Sequence, residues 1–306
     1  MELRWDGRVA VVTGAGRNLG RAYARLLAAR GARVVVNDLG VPISDTDGAG
    51  EAPAVNPAQT VVDEIVADGG DAVLSTDSVA TPEGGEAITA RAIDAFGRLD
   101  IVINNAGVVR QAPFADYDAD LLDDELASQI GGHFNVSRAA WPILVAAGYG
   151  RILNLSSGAG LWGVAGMTGY AAAKMGVVGL TRALALEGAQ HHIAVNVVAP
   201  CAKTRPGGFG PIPESPALHA WLSMEQVAPV VAWLVHEDCD VSGECFSVGG
   251  GYIGRVAIAV NEGWRDRPLT PESVRDHWAT VMRDGPWTPL APGAGDLDRM
   301  LRGFTS

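Results

Sequence analysis

The sequence contains little cysteine, a deficit of basic residues and no long apolar run, and each shortage excludes a class of protein. The three cysteines, Cys201, Cys239 and Cys245, are odd in number and lack metal-type spacing, which favours reduced, mostly buried thiols over a disulfide framework or a metal site. With 23 Lys and Arg against 35 Asp and Glu, the chain lacks the basic stripe that nucleic-acid binding requires. No segment approaches the roughly 18 consecutive apolar residues of a membrane span, and the N-terminal MELRWDGR lacks the apolar stretch of a signal peptide. We expect a cytoplasmic protein without nucleic-acid, membrane or metal partners.

Short β-branched runs alternate with longer helical patterns along most of the chain. Because strands that alternate with helices form a parallel sheet covered on both faces, this order predicts a doubly wound α/β fold. We expect one Rossmann-type domain over residues 1–251, with a seven-stranded parallel sheet. The predicted strands are 8–13, 32–37, 71–76, 99–105, 150–157, 193–200 and 244–250, and the predicted helices are 19–30, 57–68, 82–96, 117–146, 168–190 and 224–236.

Two stretches fall outside this alternation. The segment Leu39–Pro57 is rich in Gly, Pro, Ala and Asp and indicates either a solvated loop or a cover over a bound adenine. Residues 252–306 form a C-terminal extension, expected to pack on the domain or on a partner subunit. Within it, residues 270–284 predict a helix with Thr270 as its cap and Pro271 in its first turn.

The segment VVTGAGRNLGR (11–21) places a glycine-rich turn between the first predicted strand and the first predicted helix. The free amides and the dipole at a helix N-terminus attract a pyrophosphate, and glycines permit its close approach. Asn18 stands where a further glycine is expected, but asparagine enters left-handed backbone geometry at modest cost. We therefore expect a dinucleotide to bind at Gly14, Gly16, Arg17, Asn18, Leu19 and Gly20.

Asp38 ends the second predicted strand, where a carboxylate can accept hydrogen bonds from an adenosine ribose. Because a 2′-phosphate would meet like charge there, Asp38 favours NAD over NADP. Arg17 favours the opposite choice, and Asp38 could alternatively serve only as a turn former in Asn37–Gly40. We give the fixed carboxylate more weight and predict NAD.

Tyr170 and Lys174 lie four residues apart on a predicted helix and therefore share a face. An ammonium near a phenol lowers the phenol pKa toward neutral pH, which makes the tyrosine a usable proton-transfer group. Ser157, at the end of the fifth predicted strand, can hydrogen-bond the same substrate oxygen. Taken singly, the Tyr–Lys pair could be a surface pair and Ser157 a turn cap; their combination favours a catalytic site.

Residues 7–250 resemble the short-chain dehydrogenase/reductase family through five features: TGAGRNLG (13–20), Asp38, NNAG (104–107), Ser157 with Tyr170 and Lys174, and NVVAP (196–200). The resemblance implies a homodimer or homotetramer in which Lys174 also binds the nicotinamide ribose and Pro200 lies on the nicotinamide side. Asp77 and Ser78 would lie at the adenine, and Asn104, Asn105, Ala106 and Gly107 would line the cofactor.

Within that family, VVVNDLG (34–40), RAAWPIL (138–144) and VGGGYIGR (248–255) resemble the (3R)-hydroxyacyl-coenzyme A dehydrogenase portion of the type 2 peroxisomal multifunctional enzymes. The preferred substrate is accordingly a 3-hydroxyacyl thioester. A steroid, terpenoid or other bulky apolar secondary alcohol is the alternative. A catalytically silent NAD-binding scaffold is an alternative of another class, although such a protein has no need of the complete Ser–Tyr–Lys set.

The sequence departs from the family pattern at Gln129, where many members have an asparagine that orders a water beside the catalytic lysine. A glutamine keeps the amide, so we expect a proton relay with shifted geometry; the alternative is that Gln129 does no chemistry.

The loop 202–220 is a candidate substrate lid. The candidate cations for a coenzyme A ester are Lys203, Arg205, Arg255, Arg265 and Arg267, although most of them are expected to lie in surface salt bridges.

Overall fold

The computed structural model describes residues 2–41, 55–202 and 220–293. The chain divides into two compact units, Met1–Arg255 and Val256–Ser306. The central part of the 40–57 loop, almost all of the 202–220 lid candidate with Lys203 and Arg205, and the end of the tail lie outside the described residues. The domain boundary after residue 251 and the packing of the extension stay predictions.

A single eight-stranded sheet organises the first unit. Its strands are β1 (Val9–Thr13), β2 (Arg33–Asn37), β3 (Asp71–Ser75), β4 (Ile101–Asn104), β5 (Gly150–Leu155), β6 (Ile193–Pro200), β7 (Cys245–Gly249) and β8 (Tyr252–Val256). They lie in the order β3-β2-β1-β4-β5-β6-β7-β8. Strands β2 and β3 extend the sheet on one side of β1 and the later strands extend it on the other, so the direction of winding reverses between β1 and β4. In such sheets ligands bind at the carboxyl ends of the strands beside this reversal.

The doubly wound α/β fold and its seven parallel strands are confirmed, but the predicted strand count was one too low. Only Gly250 and Gly251 separate β7 from β8, and both have positive φ, at 57° and 73°. Two such residues form a tight hairpin turn, and a connection this short can only join antiparallel strands. The sequence prediction ended the sheet at this turn and so missed its edge strand.

The sheet is buried on both faces. Alternate residues of β1 point to opposite sides: Ala10 and Val12 belong to one apolar cluster, whereas Val9 and Val11 belong to the other. The first cluster includes the packed faces of the helices after β1 and β2, and the second includes those of the helices after β3 and β4. This double cover explains why the strands read as continuous apolar runs.

Helices connect the strands much as predicted, with two differences. The predicted helix 117–146 is two α-helices, α4 and α5, joined by a π-helical segment, Ala127–Gly131, and a short helix, α6, follows β5. Among the described residues, no helix combines the length and apolar character needed to cross a membrane. The described helices are α1 (Asn18–Ala29), α2 (Pro57–Ala67), α3 (Pro82–Phe96), α4 (Ala119–Leu126), α5 (Gly132–Ala147), α6 (Gly158–Trp162), α7 (Thr168–Gly188), α8 (Ala228–Leu234) and α9 (Pro271–Val281).

The second unit contains α9 and a two-stranded antiparallel ribbon, β9 (Ala259–Val260) with β10 (Thr288–Pro289). The cap predicted for α9 is confirmed, because the Thr270 hydroxyl accepts a hydrogen bond from the Ser273 backbone N–H at 3.0 Å. The Trp264 ring stacks on His277 with 4.0 Å between ring centroids.

Candidate active site

A cavity of about 460 Å³ lies at the carboxyl ends of β1 and β4, a volume typical of small-molecule sites. Four predicted site residues do not form part of its wall: Gly16, Gly20, Asn104 and Ser157. The predicted residues that do line it are Gly14, Arg17, Asn18, Leu19, Asp38, Asp77, Ser78, Asn105, Ala106, Gly107, Gln129, Tyr170, Lys174 and Pro200.

The glycine turn has the close geometry expected of a phosphate-binding turn. A Cβ on Gly20 would lie 2.2 Å from the Gly14 carbonyl oxygen, so α1 can approach the turn only with glycine at position 20. Asn18 adopts φ 48°, the left-handed geometry expected of it. The amides of the first turn of α1 receive no side-chain cap, and that turn carries no acidic residue, so its donors suit an anionic ligand. The turn therefore fits the pyrophosphate of a dinucleotide.

The NNAG motif holds this turn against β4. The Asn105 amide donates to the backbone oxygens of Thr13 and Gly14 at 2.9 and 3.0 Å. The Thr13 hydroxyl accepts from the backbone amides of Asn105 and Ala106 at 3.0 and 3.1 Å. Asn104 does not line the cavity as expected; it is buried and donates to Asn154 and Ser137 at 2.9 Å each. Its side chain joins β4 to β5 and α5 because it points to the opposite face of the strand from Asn105.

Asp38 lines the cavity directly after β2. Its carboxylate accepts hydrogen bonds from the backbone amides of Gly16 at 3.1 Å and Gly40 at 2.9 Å. Arg17 also lines the cavity, where its guanidinium donates to the Val41 carbonyl at 3.1 Å. Farther along, the Asp77 carboxylate accepts from the Ser75 hydroxyl at 3.0 Å. Two carboxylates thus line the end of the cavity at which the resemblance places adenosine.

Lys174 is buried beneath Tyr170. Its Nζ lies 5.7 Å from the centroid of the Tyr170 ring and donates to the Leu155 carbonyl oxygen at 2.6 Å. Burial lowers the pKa of Lys174 to about 7, because a desolvated ammonium is disfavoured. The ammonium is therefore easier to deprotonate in the cofactor-free protein than the spacing of Tyr170 and Lys174 alone indicates.

His133 extends the Lys174 contact into the core. Its Nε2 accepts from the Leu155 backbone N–H at 3.3 Å, and its Nδ1 lies 2.5 Å from the Gln129 carbonyl oxygen. Burial, and secondarily the charge of Lys174, lowers the pKa of His133 to about 3, so the ring is neutral and Nδ1 carries its proton. Leu155 is therefore held at two consecutive peptide groups, by His133 at its N–H and by Lys174 at its carbonyl.

Gln129 lies in the π-helical segment and lines the cavity. Its Nε2 donates to the Val108 carbonyl at 2.6 Å, whereas its Oε1 is buried and accepts no hydrogen bond from any described residue. A buried acceptor without a partner is costly, which is consistent with a group or water bound against it. Its role in a proton relay stays a prediction.

The two serines after β5 have different environments. The Ser156 hydroxyl is buried and donates to the Lys174 backbone oxygen at 2.7 Å, which fixes α7 against β5. Ser157 is half-buried and caps α6, where its Oγ accepts from the Ala159 amide at 3.2 Å. Because Oγ is used as an acceptor, the hydroxyl proton of Ser157 remains available to a substrate oxygen.

The candidate cations Lys203 and Arg205 lie outside the described residues, whereas the other three candidate cations and all three cysteines are described. Arg255 forms a bidentate ion pair with Glu244, at 2.7 and 2.9 Å, as expected of a surface salt bridge. Arg265 and Arg267 belong to the second unit. Cys239 and Cys245 are buried, whereas Cys201 is exposed.

Three buried or half-buried groups near the site were missed by sequence reasoning: His133, Glu125 and Tyr117. His133 is in register with Val136, Ala140 and Leu144 on the buried face of α5, and this spacing could have marked it as a core residue. Glu125 lies four and three residues after Leu121 and Leu122, a spacing that places all three on one helix face. The acidic run ADLLDDEL is nevertheless typical of a solvent-exposed helix, so the sequence did not mark this carboxylate as buried. No sequence pattern joins Tyr117 to Glu125.

Comparison with known proteins gives a consistent result. A sequence model of the short chain dehydrogenase family matches residues 8–205. The chain is 44% identical over 286 residues to the peroxisomal multifunctional enzyme type 2 of Mus musculus, covering 91% of this chain and 37% of that enzyme.

Two solved structures share the fold. The crystal structure of a short chain dehydrogenase from Mycobacterium avium has a TM-score of 0.79 at 37% identity, covering 94% of this chain and 98% of that one. Full-length peroxisomal multifunctional enzyme type 2 from Drosophila melanogaster has a TM-score of 0.82 at 33% identity, covering 99% of this chain and 50% of that one. The chain thus spans about a third to a half of its multifunctional relatives. With the family match over most of the sheet, this similarity establishes that the chain belongs to the short-chain dehydrogenase/reductase family of oxidoreductases.

Proposed function

We propose that this protein is an NAD-dependent dehydrogenase that interconverts a 3-hydroxyacyl-coenzyme A and the corresponding 3-ketoacyl-coenzyme A. The observation that carries the proposal is the common cavity that holds Tyr170, Lys174 and Asp38. When bound, NAD accepts a hydride from the carbinol carbon. The chain supplies binding, orientation and the proton-transfer group.

Three side chains act at the reacting carbon of the substrate: Ser157, Tyr170 and Lys174. Ser157 donates its hydroxyl proton in a hydrogen bond to the substrate oxygen, since its Oγ already accepts from Ala159. The Tyr170 phenol removes the hydroxyl proton during oxidation and returns it during reduction. Lys174, held by the Leu155 carbonyl, tunes that phenol and anchors the nicotinamide ribose.

The cofactor choice rests on Asp38. Its carboxylate lines the cavity and has no Lys or Arg ion-pair partner among the described residues. A 2′-phosphate placed there would face an unneutralised negative charge, whereas ribose hydroxyls would find an acceptor. Arg17, which donates to the Val41 carbonyl, is the residue that would favour NADP.

The substrate choice rests on similarity to enzymes named peroxisomal multifunctional enzyme type 2. A bulky apolar secondary alcohol, such as a steroid or terpenoid, is the second candidate, supported by the apolar side chains of Val79, Val108 and Val109 in the cavity wall. A silent NAD-binding scaffold is a weaker candidate, because the full Ser–Tyr–Lys set is present.

The test is a comparison of kcat/KM for both enantiomers of a 3-hydroxyacyl-coenzyme A and for free sterol and terpenoid alcohols, each with NAD and with NADP. We expect the thioester with NAD to exceed every other pair by about tenfold or more, which corresponds to about 1.4 kcal/mol. Asp38→Ala should narrow the difference between NAD and NADP without changing the order of the alcohols.

Faster turnover of free alcohols would contradict the substrate assignment, and a preference for NADP would contradict the role of Asp38. Absence of turnover with every alcohol, in a protein that binds NAD, would favour the scaffold.

We also propose that the enzyme is a homodimer or homotetramer associated through α5 and α7. Phe134 on α5 and Met175 and Leu186 on α7 are exposed apolar residues, and Met175 and Leu186 lie eleven residues, or three turns, apart on one face. Sedimentation equilibrium should give a multiple of the 31.8 kDa chain mass, and Leu186→Glu should shift the protein toward the monomer. A monomer at micromolar concentration before substitution would contradict this proposal.

A further inference from the structure

Glu125 on α4 is a buried carboxylate that the proposed chemistry does not use. The whole of Glu125 is buried, with a relative exposure of 0%. Oε1 accepts from the Arg110 backbone N–H at 2.7 Å, and Oε2 accepts from the Tyr117 hydroxyl. No Lys or Arg side chain of the described residues forms an ion pair with it. Burying a carboxylate without a cation partner costs free energy of folding, so we expect Glu125 to have a role that outweighs this cost.

The Tyr117 hydroxyl lies at the start of the helix that carries Tyr170. The nearby backbone amides of Gly169 and Tyr170, the second and third residues of α7, act to lower the pKa of this hydroxyl, against the larger effect of burial. Met167, the N-cap residue of α7, supplies no side-chain acceptor. Amides in the first turn of a helix have no partner within the helix, so the Tyr117 oxygen stands where an N-cap side chain would.

The contact requires glycine before the reacting tyrosine. A Cβ on Gly169 would lie 2.6 Å from both the Tyr117 hydroxyl oxygen and Glu125 Oε2. Burial, with the adjacent Glu125 carboxylate, raises the pKa of Tyr117 to about 12, so its hydroxyl keeps its proton and donates it to Glu125. The Glu125 charge then stands at the positive end of the α7 dipole, where a negative charge is stabilising.

We propose that Tyr117 and Glu125 form a positioning pair that caps α7 and fixes the backbone of Tyr170 for proton transfer. The contact is made at Gly169, the residue next to Tyr170 in the chain. A displacement of Tyr170 would therefore lower the rate of the chemical step more than the binding of either substrate. This inference rests on the proposed function for its kinetic part, and on the cap geometry for its structural part.

The test substitutes Tyr117→Phe, which removes the hydroxyl and keeps the ring. We expect kcat to fall by about 10- to 100-fold, with the KM of the alcohol and the Kd of NAD changed by less than about twofold. Glu125→Gln, which keeps the shape and one acceptor oxygen but loses the charge, should give a smaller fall in kcat. Tyr252→Phe is the matched control, because it removes the hydroxyl of an exposed tyrosine on β8, and it should behave as the unsubstituted protein.

Hydrogen exchange of the peptide covering residues 168–175 provides a readout independent of turnover. Tyr117→Phe should accelerate exchange there and leave the amides of β1 and β4 unchanged. Unchanged exchange, or faster exchange with an unchanged kcat, would overturn the proposal. So would a loss of NAD affinity equal to the loss of kcat, since that indicates general unfolding of the site. If the unsubstituted protein turned over no alcohol, the proposed function would fail, while exchange would still decide whether the cap exists.

Discussion

Tyr170→Phe is expected to lower kcat by about 10³-fold while leaving the Kd of NAD within about twofold, because it removes the proton-transfer group and little else. The phenol lines the cavity with Lys174 4% exposed beneath it, so loss of the hydroxyl leaves the buried lysine and the glycine turn in place. The measurement is NADH formation under saturating alcohol, with NAD binding followed separately by fluorescence quenching.

The control for this substitution is Tyr149→Phe. Tyr149 lies immediately before β5, at the end of the strand opposite the cavity, where its ring packs between Arg8 and Arg151. The same atom is removed there without touching the site, so turnover should be unchanged. A Tyr170→Phe variant that retains more than about a tenth of the original kcat would show that another group transfers the proton.

Lys174→Met is expected to abolish turnover and, at the same time, to stabilise the cofactor-free protein below pH 7. Burial lowers the pKa of Lys174 from 10.5 to about 7, so the unfolded chain binds this proton more tightly than the folded one. Below pH 7 both states are protonated, and the folded state carries the whole cost of the buried charge, about 3 to 5 kcal/mol. That cost shrinks as the pH rises from 7 to 10.5 and is then gone.

The net gain from Lys174→Met should be about 2 to 4 kcal/mol at pH 6, after allowing about 1 kcal/mol for the lost hydrogen bond to Leu155. Urea unfolding at several pH values measures it. Arg275→Met removes the charge of an exposed side chain in α9 and serves as the control, with no comparable pH dependence expected. A Lys174→Met protein that is less stable than the original at pH 6 would show that the ammonium is well solvated or paired in the folded state.

The fold could be predicted because its determinants are local. Each of the seven parallel strands is an apolar run bounded by turn residues, and the α9 cap has its signature in Thr270 and Pro271. The missed elements depend on tertiary contacts. The segment Gly158–Trp162 has a loop-like composition, yet it forms α6 because Gly160 permits close packing on the Lys174 backbone. The π-helical turn at Ala127–Gly131 has no known pattern in the sequence.

The candidate site was predictable where side chains follow strands directly, as Asp38 and Asn105 do, because strand ends meet at one edge of a sheet. It was not predictable where the environment sets the chemistry. The spacing of Tyr170 and Lys174 indicated a shared helix face, but not that burial would lower the pKa of the lysine. Nor could spacing show that Asn104 turns into the core while Asn105 turns to the cavity.

The contact between Lys174 and the Leu155 carbonyl also bears on entropy. A lysine side chain has four rotatable bonds, and restricting it to one conformation costs about 1.5 to 2 kcal/mol. Here that cost arises once, when the chain folds, since His133 holds the adjoining peptide group of Leu155 by its N–H. Each catalytic cycle then begins with the amine already in place, so no part of the binding energy of substrate or cofactor is consumed in immobilising it.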